Sequence, residues 1–294
     1  MEKDDKLINF DDFMPAEMAK RVEAASIRKA NLSFPNLLAL SILAGAFIAF
    51  GAIFYTVVTF DSNLGIGLTR FIGGICFSVG LILVIVAGAE LFTGNNLIIM
   101  GVASKTVTFK QLLKNWGVSY LGNFIGALLI VLVMYFTNQW KLKDALLGAN
   151  AVMIAANKVN LTFVEGFTRG MLCNALVCLA VWLSFSARTV VSKISAVILP
   201  ITAFIASGFE HSIANMYFIP YGIMLKNNSK VLAALEKLSP NIDLSHLNIL
   251  GLFGNLLSVT IGNIIGGTFV VGLVYWFIIV RPQRIKLKNK EEGD

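Results

Sequence analysis

The sequence predicts an all-α polytopic membrane protein, with six transmembrane helices in a 3+3 inverted repeat and spans 2 and 5 broken. Three observations predict it. Of 294 residues, 56% are hydrophobic and only 14% charged, against about 25% charged in an ordinary soluble domain. Two long apolar runs each carry an acid within a matching motif, Gly88-Ala89-Glu90 with Asn95 and Gly208-Phe209-Glu210 with Asn215, offset by 120 residues. A second pair of motifs, Gly122-Asn123-Phe124-Ile125-Gly126 and Gly262-Asn263-Ile264-Ile265-Gly266, is offset by 140, and Val131 and Tyr135 answer to Val271 and Tyr275. A charge at bilayer depth is expensive and marks function by default. Finding the same device twice indicates a duplicated fold with a site between the copies. Three spans per copy is an odd number, so the second copy enters the membrane from the opposite side.

Each element follows in chain order. Residues 1–35 are polar, with Asp4, Asp5, Asp11 and Asp12 where a cleavable signal would want a basic start and an apolar core. Phe13, Met14, Met18, Val22 and Ala25 recur near a 3.6 period, which predicts an amphipathic helix docked on the membrane face or on a neighbouring subunit. Asn36 to Phe60 is uncharged and long enough to span. Residues 71–104, as one straight helix, would run to roughly 51 Å at ~1.5 Å per residue. Glu90, Gly94 and Asn95-Asn96 sit inside that run, so a broken helix with its unwound backbone on a cavity is the economical solution.

The third span lies within Asn115–Trp140, and a loop carrying Lys141, Lys143 and Lys158 follows it. The fourth covers roughly 165–187. The fifth is the 194–225 run, again too long and again broken, at Gly208. Asn227 to Asn248 reads as a polar loop in which His246 is simply solvated, and the sixth span ends at Val280. The organisation is a polar segment 1–35, a transmembrane domain 36–280 with copies at about 36–140 and 165–280, and a basic tail 281–294.

With both termini inside, the inner segments hold sixteen Lys and Arg residues and the outer segments seven. The bias predicts cytoplasmic termini. The formal charge of +7 sits mostly at segment ends, where orientation and lipid contact account for it better than nucleic acid does. Cys76, Cys173 and Cys178 lie in apolar runs without metal-type spacing and read as buried small hydrophobes. Neither a metal nor a cofactor is expected.

In an inverted repeat with broken middle helices, the site forms near the midplane where half-helix ends converge. Half-helices starting after Gly88 and Gly208 would present free N–H groups and positive dipole ends there, which favours an anion. His211 is the leading candidate, since an imidazole with an unperturbed pKa of about 6.5 can give a hydrogen bond or a proton to a small acid's conjugate base. Thr93 supplies a hydroxyl in the paired break, as a partner of His211 or as a cap. Glu90 and Glu210 are expected to accept freed backbone N–H groups, because a carboxylate would repel an anion. Asn123 and Asn263 fit interhelical hydrogen bonding, and Asn174 is either such glue or pore lining. Phe77, Leu81, Leu91 and Phe204 read as packing by periodicity, yet their place on the broken spans also suits apolar constrictions.

Two other classes are excluded. A serine–histidine hydrolase would want a Gly-x-Ser-Gly signature, and none occurs. A water or glycerol pore would want Asn-Pro-Ala at both breaks, where Asn95-Asn96-Leu97 and Asn215-Met216-Tyr217 stand instead.

Ser207-Gly208-Phe209-Glu210-His211-Ser212-Ile213-Ala214-Asn215-Met216, Gly88-Ala89-Glu90-Leu91-Phe92-Thr93 and Thr260-Ile261-Gly262-Asn263-Ile264-Ile265-Gly266-Gly267 resemble the signatures of the formate/nitrite transporter family. Asn157-Lys158-Val159 and Leu176-Val177-Cys178-Leu179-Ala180-Val181-Trp182 extend the likeness to roughly residues 10–282. The resemblance implies an aquaporin-like protomer in a homopentamer of a bacterial inner membrane. It implies passive or proton-linked bidirectional passage of formate and similar monovalent anions, with nitrite or hydrosulfide as the alternative substrate, and no enzymatic activity. It implies His211 and Thr93 as the central polar pair, Leu81, Leu91, Phe77 and Phe204 as constrictions, and Asn174 and Lys158 as pore-associated polar positions. Lys158, in an outer loop, would draw anions into a vestibule.

Overall fold

The computed structural model describes residues 13–285, all of them in helices or their connections. The acidic run Asp4 to Asp12 and the tail lysines Lys286, Lys288 and Lys290 lie outside the described residues.

Helix α1 (Pro15–Ala30) packs on its own chain, against α5 (Ile99–Ala103) and the short 3-10 helix Gly94–Ile98. Met18, Val22 and Ala25 are buried as the periodicity requires, but Met14 is 65% exposed because it is the N-cap and lies off the apolar stripe. Helices α2 (Phe34–Thr59) and α6 (Phe109–Phe136) run against each other, as do α8 (Phe163–Ser184) and α12 (Ile249–Ile265). Small residues set those approaches. A Cβ on Gly126 would lie 2.0 Å from the Ile42 carbonyl oxygen, and one on Gly266 would lie 2.0 Å from that of Met171, so only glycine lets the backbones come this close.

Among the described residues five helical stretches are long and apolar enough to cross a membrane: Phe34–Thr59, Gly65–Ala87, Phe109–Phe136, Phe163–Ser184 and Ile249–Ile285. The second starts at Gly65, ahead of Arg70, as α3 (Gly65–Phe77) and α4 (Val79–Ala87). Arg70 does not bound the helix because its side chain stands exposed on the surface of the first turns. The predicted fifth span is divided into α9 (Val190–Ala206) and α10 (Ser212–Leu225). The outer surface stays apolar, with Phe50, Leu129, Val133, Leu199, Leu257 and Phe269 exposed, as suits lipid or subunit contact.

Two stretches read as loops are helical. Residues 142–159 form α7 (Leu142–Val159), which passes through left-handed backbone at Lys143, Asp144 and Ala145 before its regular turns. Its Ala149, Val152, Ala155 and Ala156 are buried, and the helix packs against α10. The flanking Lys143, Asp144 and Lys158 hid the short apolar run Leu146–Ala156 from a span-length search. Residues 229–238 form α11 (Ser229–Leu238), capped by Asn228, whose side chain accepts from the N–H groups of Lys230 and Val231.

Candidate functional site

The helix preceding each break ends on a glycine in the left-handed region, Gly88 at φ 86° and Gly208 at φ 70°. No Cβ opposes that conformation in glycine, so the chain can leave the helix sharply and cross toward the centre. Beyond the turns the chain is extended for a few residues, and regular structure resumes at Gly94 and at Ser212.

An unwound backbone in an apolar interior needs partners. Two asparagines supply them in matching fashion. Asn123 accepts from the Phe92 N–H at 2.9 Å and donates to the carbonyls of Glu90 at 3.0 Å and Ser41 at 2.7 Å. Asn263 accepts from the Ser212 N–H at 2.9 Å and donates to the carbonyls of Glu210 at 3.0 Å and Gly170 at 2.8 Å. Of the freed N–H groups, those of Phe92 and Ser212 go to asparagine amides, and those of Glu90 and Glu210 go to the carbonyls of Leu40 and Arg169. None of these four goes to the Glu90 or Glu210 carboxylate.

The glutamates instead belong to two closed polar circuits. Lys29 donates to Glu90 at 2.8 Å, Asn95 donates to Glu90 and to Asn115 at 2.8 Å each, and Asn115 returns to the Lys29 carbonyl at 3.1 Å. Lys158 donates to the two oxygens of Glu210 at 3.0 and 3.1 Å, and Asn215 donates to Glu210 and to Asn255 at 2.7 Å each. Asn255 closes the second circuit on the Lys158 carbonyl at 2.8 Å. Each carboxylate is buried, with 8% and 6% of its side chain exposed, and each is neutralised by its lysine. Lys158 is thus no solvated loop cation: it lies on α7 with 14% of its side chain exposed, held by Glu210.

These lysines carry a sequence signal that composition and span counting passed over. Lys29-Ala30-Asn31-Leu32-Ser33-Phe34 repeats as Lys158-Val159-Asn160-Leu161-Thr162-Phe163, offset by 129. Ser33 and Thr162 are the N-caps of α2 and α8. The offset between Ser41 and Gly170, the carbonyls bound by the two asparagines, is the same.

Between the breaks, Thr93 Oγ1 and His211 Nε2 are 2.9 Å apart, with Thr93 fully buried and His211 3% exposed. His211 is the N-cap of α10, and its Nδ1 accepts the Ala214 N–H at 3.1 Å. An acceptor nitrogen carries no hydrogen, so in neutral His211 the proton sits on Nε2 and points at Thr93. The Thr93 carbonyl is held in turn by Asn174 Nδ2 at 3.3 Å and Cys178 Sγ at 3.4 Å. Asn174 also donates to Asn96 Oδ1 at 2.9 Å and to the Asn263 carbonyl at 2.6 Å. It therefore braces the first break, and Cys178 is more than a small hydrophobe.

Apolar side chains close the centre. Phe204 stacks on His211 with ring centroids 6.0 Å apart and meets Phe77 edge-on at 5.7 Å; both phenylalanines are 1% exposed. Leu81 and Leu91, each 2% exposed, form the inner end of a cavity of about 500 Å³ on the side of α1. That cavity is also lined by Arg21, Arg28, Lys29, Lys193 and Glu90, while Thr93 and His211 do not reach it. The centre is apolar and closely packed, with the His211 Nε2–H donating to a Thr93 hydroxyl that keeps its own hydrogen to give, an arrangement suited to a small acceptor-only anion passing between them.

Known proteins resemble this chain over most of its length. The family model described as formate/nitrite transporter matches residues 16–277. The chain is 44% identical over 276 residues to the formate channel FocA of Escherichia coli K12, covering 92% of this chain and 96% of that protein. It is 37% identical over 288 residues to a probable formate transporter of Methanothermobacter thermautotrophicus, covering 91% and 97%. Among solved structures it is similar to a pentameric formate channel with formate bound, with a TM-score of 0.76 and 40% identity over 84% of this chain and 98% of that one. An ion channel of the same family aligns with a TM-score of 0.74 and 29% identity, over 88% and 98%.

Proposed function

The chain belongs to the formate/nitrite transporter family, and on that premise we propose that it conducts formate through a channel in each protomer of a membrane-embedded homopentamer. It is a channel protein and not an enzyme. The observation that carries the proposal is the Thr93–His211 contact at the centre of an apolar constriction. An entering carboxylate has only acceptor oxygens. It replaces Thr93 as the acceptor of the His211 Nε2–H and takes the Thr93 hydroxyl as a second donor, which offsets part of its lost hydration. The N-terminus of α10 adds a favourable dipole. Leu81 and Leu91 on one side, and Phe77 and Phe204 on the other, keep water out while the anion is held.

The matched circuits support an inverted repeat in which α1 and α7 belong to the copies as well, since Lys29 and Lys158 do the same work on opposite faces. On the Lys and Arg distribution, both termini face the cytoplasm of a bacterial inner membrane. The cavity beside α1 is then the cytoplasmic vestibule. Formate in the names of several similar proteins favours it over nitrite and hydrosulfide.

Flux into proteoliposomes for formate, nitrite and hydrosulfide, measured at two pH values, tests this. Formate should pass fastest. Impermeability to all three anions would overturn the reading.

A further inference from the structure

We propose that Arg70 is the residue that captures anions at the mouth opposite α1, a role that Lys158 cannot fill. The proposal rests on the transport reading above, but its geometry stands separately.

Lys158 is committed to both oxygens of Glu210 and lies against the Phe218 ring, 5.2 Å from its centroid. An incoming anion meets that pair as a neutral unit. Lys143 is paired with Asp61, Arg169 lies 3.8 Å from Glu165, and Lys226 donates to the Leu247 carbonyl at 2.6 Å. Arg70 differs: among the described residues it makes no hydrogen bond and no ion pair, and its side chain is exposed on the early turns of α3.

Its position gives that free charge a purpose. A Cβ built on Gly208 would meet nothing within 4 Å except Arg70 Nη1, at 3.8 Å. The guanidinium therefore stands over the open side of the second break, three residues before His211. It shares the surroundings of Tyr55 with Glu210, and Tyr55 packs edge-on against Phe218, the ring beside Lys158, at 6.0 Å. The mirror position, Gly88, has nothing within 4 Å. On the α1 side Arg21, Arg28 and Lys193 line the cavity that Gly88 also lines, but none of them stands over its turn as Arg70 stands over Gly208. Unpaired and half in water, Arg70 attracts anions over a screening length and holds none tightly, as a conduction pathway requires.

Two measurements test the assignment. The first is formate flux in proteoliposomes with Arg70→Gln and Arg70→Lys at low and high ionic strength. A unit charge about 4 Å away is worth about fivefold in water, so Arg70→Gln should lose about that much flux at low salt and recover most of it at about 1 M salt. Arg70→Lys should stay near wild type. The second does not depend on what the channel conducts. In a Cys76→Ser background, Ser207→Cys places a thiol on the exposed neighbour of Gly208. The rate ratio of an anionic to a cationic thiosulfonate at that thiol should fall severalfold when Arg70→Gln is added. A falling ratio with no wild-type formate flux would keep Arg70 as the capture charge and overturn the transport reading. Wild-type flux with an unchanged ratio, or with a loss equal at both salts, would overturn the assignment of Arg70.

Discussion

The backbone N–H of Ala214 donates to Nδ1 of His211 at 3.1 Å, and that one bond decides which imidazole nitrogen faces the centre. With Nδ1 committed as an acceptor, Nε2 carries the proton and meets Thr93 at 2.9 Å. Protonating His211 has to occur at Nδ1, which turns an acceptor into a donor and expels the Ala214 N–H from the cap of α10. The acid form of the site is therefore a different geometry from the neutral form, not the same one with added charge.

Thr93 supplies the second donor. Thr93→Val keeps the shape and removes the hydroxyl, so an entering carboxylate loses one hydrogen bond in a dry site. At ~1.5–3 kcal/mol for a bond to a charged group, formate flux should fall by about 10- to 100-fold, while Thr93→Ser keeps most of it. Proteoliposome flux with a matched thermal unfolding scan checks both.

The lysine–glutamate pairs should behave as buried pairs. Lys158→Met leaves Glu210 without its counter-charge, and removing one partner of a buried pair typically costs about 3–5 kcal/mol. Lys29 is more open, with 27% of its side chain exposed against 14% for Lys158, so Lys29→Met should lower the unfolding temperature less. Adding Glu210→Gln to Lys158→Met should recover much of the loss. A double variant no more stable than the single one would count against the pairing as the cause.

The asparagine clamps should be less tolerant than the glutamates. Asn263→Ala leaves the Ser212 N–H and the Gly170 and Glu210 carbonyls without their partner, at about 1–3 kcal/mol for each buried group left unsatisfied. Loss of the folded oligomer in mild detergent is expected, and Asn123→Ala should act alike on the first break. Wild-type thermal stability for either variant would contradict the clamp.

Much of this was legible in the sequence, for physical reasons. Glu90 and Glu210 stood out because a charge in an apolar run has few explanations, and the Gly-x-Glu spacing repeated. Thr93 and His211 were brought together by pairing the two breaks, and the Asn123 and Asn263 motifs announced themselves through the same duplication. What stayed hidden was whatever depends on a partner distant in sequence. Nothing local shows that Lys29 and Lys158 end on the glutamates, or that asparagines take the freed N–H groups of Phe92 and Ser212. Helix α7 was missed because its eleven-residue apolar stretch Leu146–Ala156 is flanked by charges and is too short to read as a span. The Lys-x-Asn-Leu-Ser/Thr-Phe repeat, which begins ahead of the first span, carries the signal for it.

The central claim is that His211 presents a hydrogen-bond donor to the anion and that its protonation changes the site. Formate flux with simultaneous internal pH, in proteoliposomes at pH 7.5 and pH 5, tests it most directly on three proteins. Wild type should conduct with a clear difference between the two pH values. His211→Asn, which keeps a donor but cannot be protonated, should conduct with no such difference, and His211→Phe, which has no donor, should lose flux by at least about 10-fold, in line with one lost charge-assisted bond. Flux through His211→Asn that keeps the wild-type pH dependence, or flux through His211→Phe that matches wild type, would contradict the account.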